Sequence, residues 1–260
     1  MELRKQKERE HANKLKTLLQ KASNQETAAS DKKFYSITRG SQTYVRRRLL
    51  KRISNGKKFL DYGCGKGEIS IFLAKNDAEV TGIDISDVSI KIAKENAIAQ
   101  GLKDEPTFLV MDGENLEFND NTFDVIICSG VLHHLDINEA YPELARVLKP
   151  DGEIICNEPL AYNPIFQLYR KSTPHLRTEW EARHILNKKS ISLAKQHFDG
   201  IEIRFYHLTT LLAVPFRNLS FFSSLLTIFE AIDSILFKLP LIKWLAWQIV
   251  FVLSKPKNKQ

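Results

Sequence analysis

The side chains best equipped for chemistry in this chain are of three kinds. One is a carboxylate beside a glycine cluster, Asp61-Tyr62-Gly63-Cys64-Gly65-Lys66-Gly67-Glu68; the others are two adjacent histidines, His133 and His134, and the carboxylate Glu158. Glycines at 63, 65 and 67 let the backbone turn tightly and come close to a ligand, where any Cβ would stand in the way. With the apolar Phe59 and Leu60 ahead of it, the run reads as a buried strand breaking into a turn that opens a helix, a socket for a nucleotide-like ligand. Spacing narrows the ligand. A dinucleotide fingerprint places a further glycine where Glu68 stands, and a Walker loop ends in Gly-Lys-Ser or Gly-Lys-Thr, whereas Gly67 is followed by Glu68 and Ile69. A carboxylate in the first helical turn repels a pyrophosphate at the place where phosphates normally sit, so a ligand without phosphate fits better. A histidine titrates near neutrality and suits the removal of a proton from a hydroxyl, an amine or an acidic carbon.

These groups need elements to hold them. From Lys57 to Glu158 apolar strand-like runs alternate with helical stretches, which argues for a parallel sheet covered on both faces, with ligands at the carboxyl ends of its strands. Val80-Thr81-Gly82-Ile83-Asp84-Ile85-Ser86 is a second strand ending in an acid, and Phe108-Leu109-Val110-Met111-Asp112-Gly113-Glu114 is a third. Phe123 to Ser129 is a fourth that runs out into Gly130-Val131-Leu132-His133-His134, and Glu143 to Gly152 reads as the helix and turn before the fifth. The helix after the second strand spans Asp87 to Gln100, with Ser86 as its cap and Gly101 as its stop.

In this order, Asp61-x-Gly63-x-Gly65-x-Gly67 and the strand ends that follow resemble the class I S-adenosylmethionine-dependent methyltransferases, in the style of the ubiquinone and menaquinone methyltransferases; the likeness covers residues 57–158. The resemblance implies an α/β, Rossmann-like sheet of seven strands. Residues 201–208 would form the sixth, and residues 247–253 the last, inserted antiparallel between the fifth and sixth. It implies S-adenosyl-L-methionine as cofactor, without a metal. Asp61, Gly63, Cys64 and Gly65 would line the donor, Asp84 and Ile85 would meet the ribose, and Asp112, Gly113 and Glu114 the adenine, with Ser129 at the end of the fourth strand. It also sets His133, with His134 behind it, beside the reacting substrate as general base. Glu158 would join them as a group that binds or deprotonates the acceptor, or would pair with Arg170 or Arg177.

Composition frames the rest. The 260 residues suffice for one large domain with appendages. We divide them into a basic helical arm and lid, residues 1–56, and a methyltransferase domain, residues 57–260. The domain comprises a cofactor-binding core (57–158), a substrate cap (159–187) and a C-terminal part (188–260) with an apolar helical insertion at 218–244. Cys64, Cys128 and Cys156 are spaced neither as metal ligands nor as a disulfide framework, and the charged N-terminus lacks a secretory signal, so a cytoplasmic protein starting near Met1 is expected. The net charge is +7, but residues 1–58 hold 17 Lys and Arg against 5 acids, so the basic charge belongs to the N-terminus. With only Leu3, Leu15, Leu18 and Leu19 as an apolar face, we read residues 1–30, with their polar stretch Ser23–Ser30, as a solvated arm. Contact with anionic lipid or nucleic acid is the alternative. A second helix is expected over Tyr35–Arg52.

The cap is far longer than the roughly two to six residues that usually join strand and helix, and it is rich in aromatic and ionisable groups. Tyr162, Tyr169, Arg170, His175 and Arg177, together with Tyr35, are the candidate substrate-binding residues. The 218–244 segment carries Glu230, Asp233, Lys238 and Lys243 among its apolar residues, so no uncharged run reaches the roughly twenty residues of a bilayer span. Packing on the core or a second subunit, peripheral membrane contact and a greasy substrate channel all remain open for it. No proline-cysteine pair follows the fourth strand, as cysteine-attack cytosine methylation needs. The Asn/Asp-Pro-Pro-aromatic signature of nucleic-acid amino methylation is also missing at Ser129–Leu132. The reading is therefore a methyltransferase for a small or lipophilic acceptor through oxygen, carbon or nitrogen. An RNA or protein methyltransferase docking through the arm, and a non-catalytic scaffold, are its rivals.

Overall fold

The structure, a computed structural model, describes residues 2–21, 33–102 and 105–257. Ser23–Ser30 and the side chain of His175 lie outside the described residues.

Seven strands form one sheet: β1 (Lys58–Tyr62), β2 (Glu79–Asp84), β3 (Thr107–Val110), β4 (Phe123–Ser129), β5 (Leu148–Pro159), β6 (Phe198–Tyr206) and β7 (Gln248–Pro256). Their order across the sheet is β3-β2-β1-β4-β5-β7-β6, with β7 antiparallel to both neighbours and the other pairs parallel. The seventh strand therefore sits where the sequence reading put it. The central strands read as nearly continuous apolar runs because both faces of the sheet are covered. Alternate residues serve alternate cores. Leu60, Ile126, Ile154 and Phe251 pack on one side, while Phe59, Val125, Ile127, Ile155 and Val250 pack on the other. Each such side chain, withdrawn from water, contributes about 1.5–3 kcal/mol before the entropic cost of ordering it.

Nine helices of α type accompany the sheet among the described residues. The first five are α1 (Glu2–Lys21), α2 (Arg39–Leu50), α3 (Glu68–Ala74), α4 (Asp87–Ala99) and α5 (Ile137–Val147). The remainder are α6 (Pro164–Ser172), α7 (Glu179–His184), α8 (Lys188–Leu193) and α9 (Phe222–Leu236). Tyr141, Leu144 and Val147 of α5 enter the first core, and Val45 and Leu49 of α2 enter the second. Ser86 caps α4 by accepting a hydrogen bond from Ser89 N at 2.9 Å. The second N-terminal helix is shorter than the expected Tyr35–Arg52, starting at Arg39.

The largest departure from the sequence reading concerns α1. Instead of a solvated arm, it lies across the carboxyl ends of the strands. Arg4 contacts Glu114, Lys5 contacts Asp112, and Asn13 bonds Ser86 and Asp87. A thin apolar face argued for solvation. The force that seats this helix is instead ion pairing with acids over a hundred residues away in sequence.

Candidate active site

The glycine turn follows β1, and its three glycines all have left-handed backbone, with φ of 75° at Gly63, 55° at Gly65 and 77° at Gly67. At Gly63 a Cβ would also lie 2.4 Å from Val131 Cγ2, so the segment leading to the histidines fits against the turn only because that position has no side chain. Gly63 N and Cys64 N both donate to Ile83 O, fastening the turn to β2.

Asp84 ends β2 beside this turn. Its Oδ2 accepts from Gly65 N at 3.0 Å and its Oδ1 from Ser86 N at 2.8 Å. Burial pushes its carboxyl pKa above the usual range, against the pull of these two hydrogen bonds and of Lys16. Lys16 lies over the turn, with its Nζ 3.8 Å from where a Gly65 Cβ would stand. Asp112 and Glu114 follow β3. Asp112 Oδ1 accepts from Glu114 N at 2.9 Å, Glu114 Oε1 accepts from Asp136 N at 2.7 Å, and Lys5 Nζ reaches Asp112 and, at 3.1 Å, Glu114. Tyr62 Oη donates to Gly113 O at 2.6 Å, fixing the third strand's end against the first. Ile85 is half-buried between Asp84 and Ser86, and Ser129 is half-buried where β4 ends.

Asp61 is placed differently from the expected shared rim. It is buried, and its Oδ2 accepts from Ser70 N at 3.0 Å and Ser70 Oγ at 2.6 Å, so it ties β1 to α3 behind the turn. Burial raises its pKa to about 6, with Ser70 pulling down and nearby Asp84 pushing further up. The buried Cys64 thiol is likewise pushed up by desolvation and stays uncharged. Asp84, Asp112 and Glu114 thus gather at the strand ends beside the turn, with Asp61 behind it.

The histidines lie in a short 3-10 turn, Leu132–His134, after β4. His133 Nδ1 is 2.8 Å from Glu158 Oε2, and Glu158 Oε1 accepts from Val131 N at 2.8 Å and Leu132 N at 3.0 Å. Glu158 is completely buried and both its oxygens are engaged; neither Arg170 nor Arg177 pairs with it. With carboxylate on Nδ1, the neutral imidazole carries its proton there and keeps Nε2 as acceptor. His134 lies against His133, ring centroids 4.3 Å apart and the planes tilted by 36°, and its Nδ1 is 3.0 Å from Glu8 Oε2 of α1. Burial alone would lower the His134 pKa, but Glu8, Glu181 and Glu158 outweigh it and raise the value above 6.5.

The cap residues are only partly brought together. Tyr169 packs with Phe34 and Phe166, its ring faces the Arg177 guanidinium at 5.4 Å, and Arg170 Nη1 donates to Leu160 O at 3.4 Å. The Arg170 pKa is lowered to about 10 by burial and by Arg177 nearby. Tyr35 and Tyr162 are exposed, and Tyr162 Oη accepts from Lys188 N at 3.1 Å. Cap and arm meet at Thr178 and Trp180: Thr178 Oγ1 donates to Glu8, and the Arg4 guanidinium lies 4.5 Å over the Trp180 ring. Sequence reasoning missed Arg4, Lys5, Glu8, Asn13 and Lys16. The density of basic and polar residues in α1 was the available signal, but it named no partner.

A glycine turn after the first strand, acids after the second and third, and an antiparallel seventh strand together make a Rossmann-like fold of the class I methyltransferase kind. Residues 60–156 match the model of the methyltransferase domain. It is 38% identical over 122 residues to phosphoethanolamine N-methyltransferase 3 of Arabidopsis thaliana, covering 45% of this chain and 24% of that protein. It is 41% identical over 106 residues to a ubiquinone/menaquinone biosynthesis C-methyltransferase of Rickettsia felis, covering 38% and 43% respectively. The chain thus spans less than half the length of these curated relatives. Its fold is similar to that of phosphoethanolamine N-methyltransferase 2 from Haemonchus contortus in complex with S-adenosyl-L-methionine, with a TM-score of 0.57, 18% identity and coverage of 84% of this chain and 53% of that one. Among the described residues no helix is long and apolar enough to cross a membrane, and no three His, Cys, Asp or Glu side chains gather as metal ligands.

Proposed function

We propose that this protein binds S-adenosyl-L-methionine and methylates a small, lipophilic acceptor, with His133 as general base. The observation that carries the reading is one rim holding a left-handed glycine turn, three carboxylates and a histidine oriented by a buried glutamate. When bound, the sulfonium group supplies a methyl carbon already activated for in-line displacement. Asp84 offers its carboxylate to the ribose hydroxyls, and Asp112 with Glu114 receives the adenine end; all three already accept N–H donors here. Lys5 and Lys16 sit over these carboxylates and must shift when a donor molecule takes their place. As the acceptor's oxygen, nitrogen or carbon bonds the methyl, its proton passes to His133 Nε2. Glu158 stabilises the imidazolium and does not itself touch the acceptor. Tyr169, Arg170 and Arg177 on the cap side are the groups for acceptor recognition, with Tyr35 and Tyr162 at its exposed margin.

The buried free thiols Cys64, Cys128 and Cys156 suit a reducing, cytoplasmic setting. Docking of RNA or an acidic protein on the arm loses its main support, because Arg4, Lys5 and Lys16 turn toward the protein's own acids. The test has two parts. Titration calorimetry should show uptake of S-adenosyl-L-methionine and of its demethylated product, and incubation with metabolite extracts should yield an acceptor heavier by one CH2. Absence of any heat of binding sinks the reading.

A further inference from the structure

Helix α9 is apolar on two sides. Leu226, with Phe222, Leu225 and Phe229, packs on the 3-10 segment Thr209–Phe216 and joins Phe166 and Tyr169 of the cap in one cluster. A second stripe is polar: Ser223, Thr227 and Glu230 all bond the Arg39 guanidinium. The third stripe, Ile228, Ile232 and Ile235, continues into Leu239 at helical spacing and joins no core cluster among the described residues, with exposures of 57%, 38%, 64% and 48%. Leu241, just beyond, is 81% exposed. A soluble helix normally turns one apolar stripe inward and gives water the remainder; this one keeps a second stripe in solvent.

Charge tells what fits there. The two acids of the segment are spent internally, Glu230 on Arg39 and the buried Asp233 on the backbone of Leu208 and Thr209. Beside the stripe a cleft of about 320 Å³ runs between β6 and α9. Arg204, Lys238 and Ser234 line it, and neither cation has a carboxylate partner among the described residues. An isologous dimer through this face would gather both copies' cations in one interface without a carboxylate of this face to meet them. The helix of 15 residues is about 22 Å long, too short to span a hydrocarbon core but suited to lie flat at its boundary.

We propose that this face docks on the surface of a membrane bearing anionic headgroups, with Ile228, Ile232, Ile235 and Leu239 among the acyl chains and Arg204 and Lys238 at the phosphates. The inference deepens the proposed function, on which one consequence rests: the acceptor is drawn from the lipid phase, through a cap that shares its core with the docking helix.

Sedimentation of the full chain with vesicles tests it. The chain should bind phosphatidylcholine vesicles containing phosphatidylglycerol, bind pure phosphatidylcholine far more weakly, and lose affinity as salt is raised. Ile232→Ser with Ile235→Ser should weaken binding about tenfold or more, and Lys238→Glu about fivefold or more. Circular dichroism melts should stay close to the parent's and S-adenosyl-L-methionine calorimetry should match it for both variants, since these residues belong to no core cluster and lie outside the donor site. No binding to anionic vesicles overturns the proposal, as does equal binding by parent and variants. Concentration-dependent dimerisation abolished by the serine pair, without vesicle binding, also overturns it. Failure of the parent to bind S-adenosyl-L-methionine would strike the proposed function and leave membrane docking standing.

Discussion

At the scale of single residues, the pairing of His133 with Glu158 decides what the site can do. The glutamate is fully buried, and two backbone N–H groups and one imidazole take up its charge, so it holds a tautomer and does not meet substrate. His133→Gln should therefore lower turnover by about a hundredfold or more while leaving donor affinity within a factor of two or so of the parent. Glu158→Gln should also lower turnover, because the amide no longer orients the imidazole or stabilises the imidazolium that proton transfer forms. Stopped assays under saturating donor, with calorimetry alongside, separate the two effects; unchanged turnover in the histidine variant rules out the base. Asp61 teaches a related lesson. Its place beside the glycines was visible in the sequence, but a carboxylate next to a turn has the same letter whether it faces the ligand or, as here, the helix behind it.

Among elements, α1 matters most. Its lysines and arginine meet the carboxylates that the proposed donor needs, so helix and donor compete for Asp112. Lys5 and Asp112 are both partly exposed, which limits their pair to about 0.2–1 kcal/mol. Lys5→Gln should accordingly tighten donor binding about two- to fivefold at low salt and flatten its dependence on ionic strength, as read by calorimetry; weaker binding would show that the helix assists the donor instead. The same helix is pH-sensitive through Glu8 and His134. The raised His134 pKa supplies stability that is complete below its ordinary value near 6.5 and lost as pH rises through the folded value. Burial alone would raise the Glu8 pKa, but His134 and Thr178 outweigh it and hold the value below 4.5, so its share is present above 4.5 and lost as pH falls through the folded value. Hydrogen exchange across residues 2–21, corrected for intrinsic rates, should thus quicken as pH rises above 6.5 through the folded value; a flat profile excludes the Glu8–His134 latch. The strands, the glycine turn and the acids at strand ends were legible in sequence because each is written in consecutive residues. The seat of α1 was not, since its partners come from distant strand ends and only the assembled sheet brings them within reach.

For the whole molecule, the N-terminal half is bound to the C-terminal half by a buried carboxylate. Glu153 on β5 is held by Arg48 and Arg52, and Arg48 also reaches Glu202 on β6. Burial alone would raise its pKa, and the two guanidinium groups overcome that and lower it. Arg48→Ala leaves the buried charge to the more exposed Arg52 and should cost about 2–4 kcal/mol, a drop of several degrees or more in melting temperature. Adding Glu153→Met should recover part of the loss; a double variant as unstable as the sum of the two would show that no such coupling exists. The position of β7 carries a further consequence for biosynthesis. Residues 248–256 form an interior strand, and β6 has no other neighbour in the sheet. A nascent chain emerging from the ribosome can build β1 through β5 in order, but must hold Phe198–Tyr206 unpaired until some fifty residues more have been translated. Completion of the sheet therefore waits for the synthesis of β7, and until then a chaperone would find its client with that edge open.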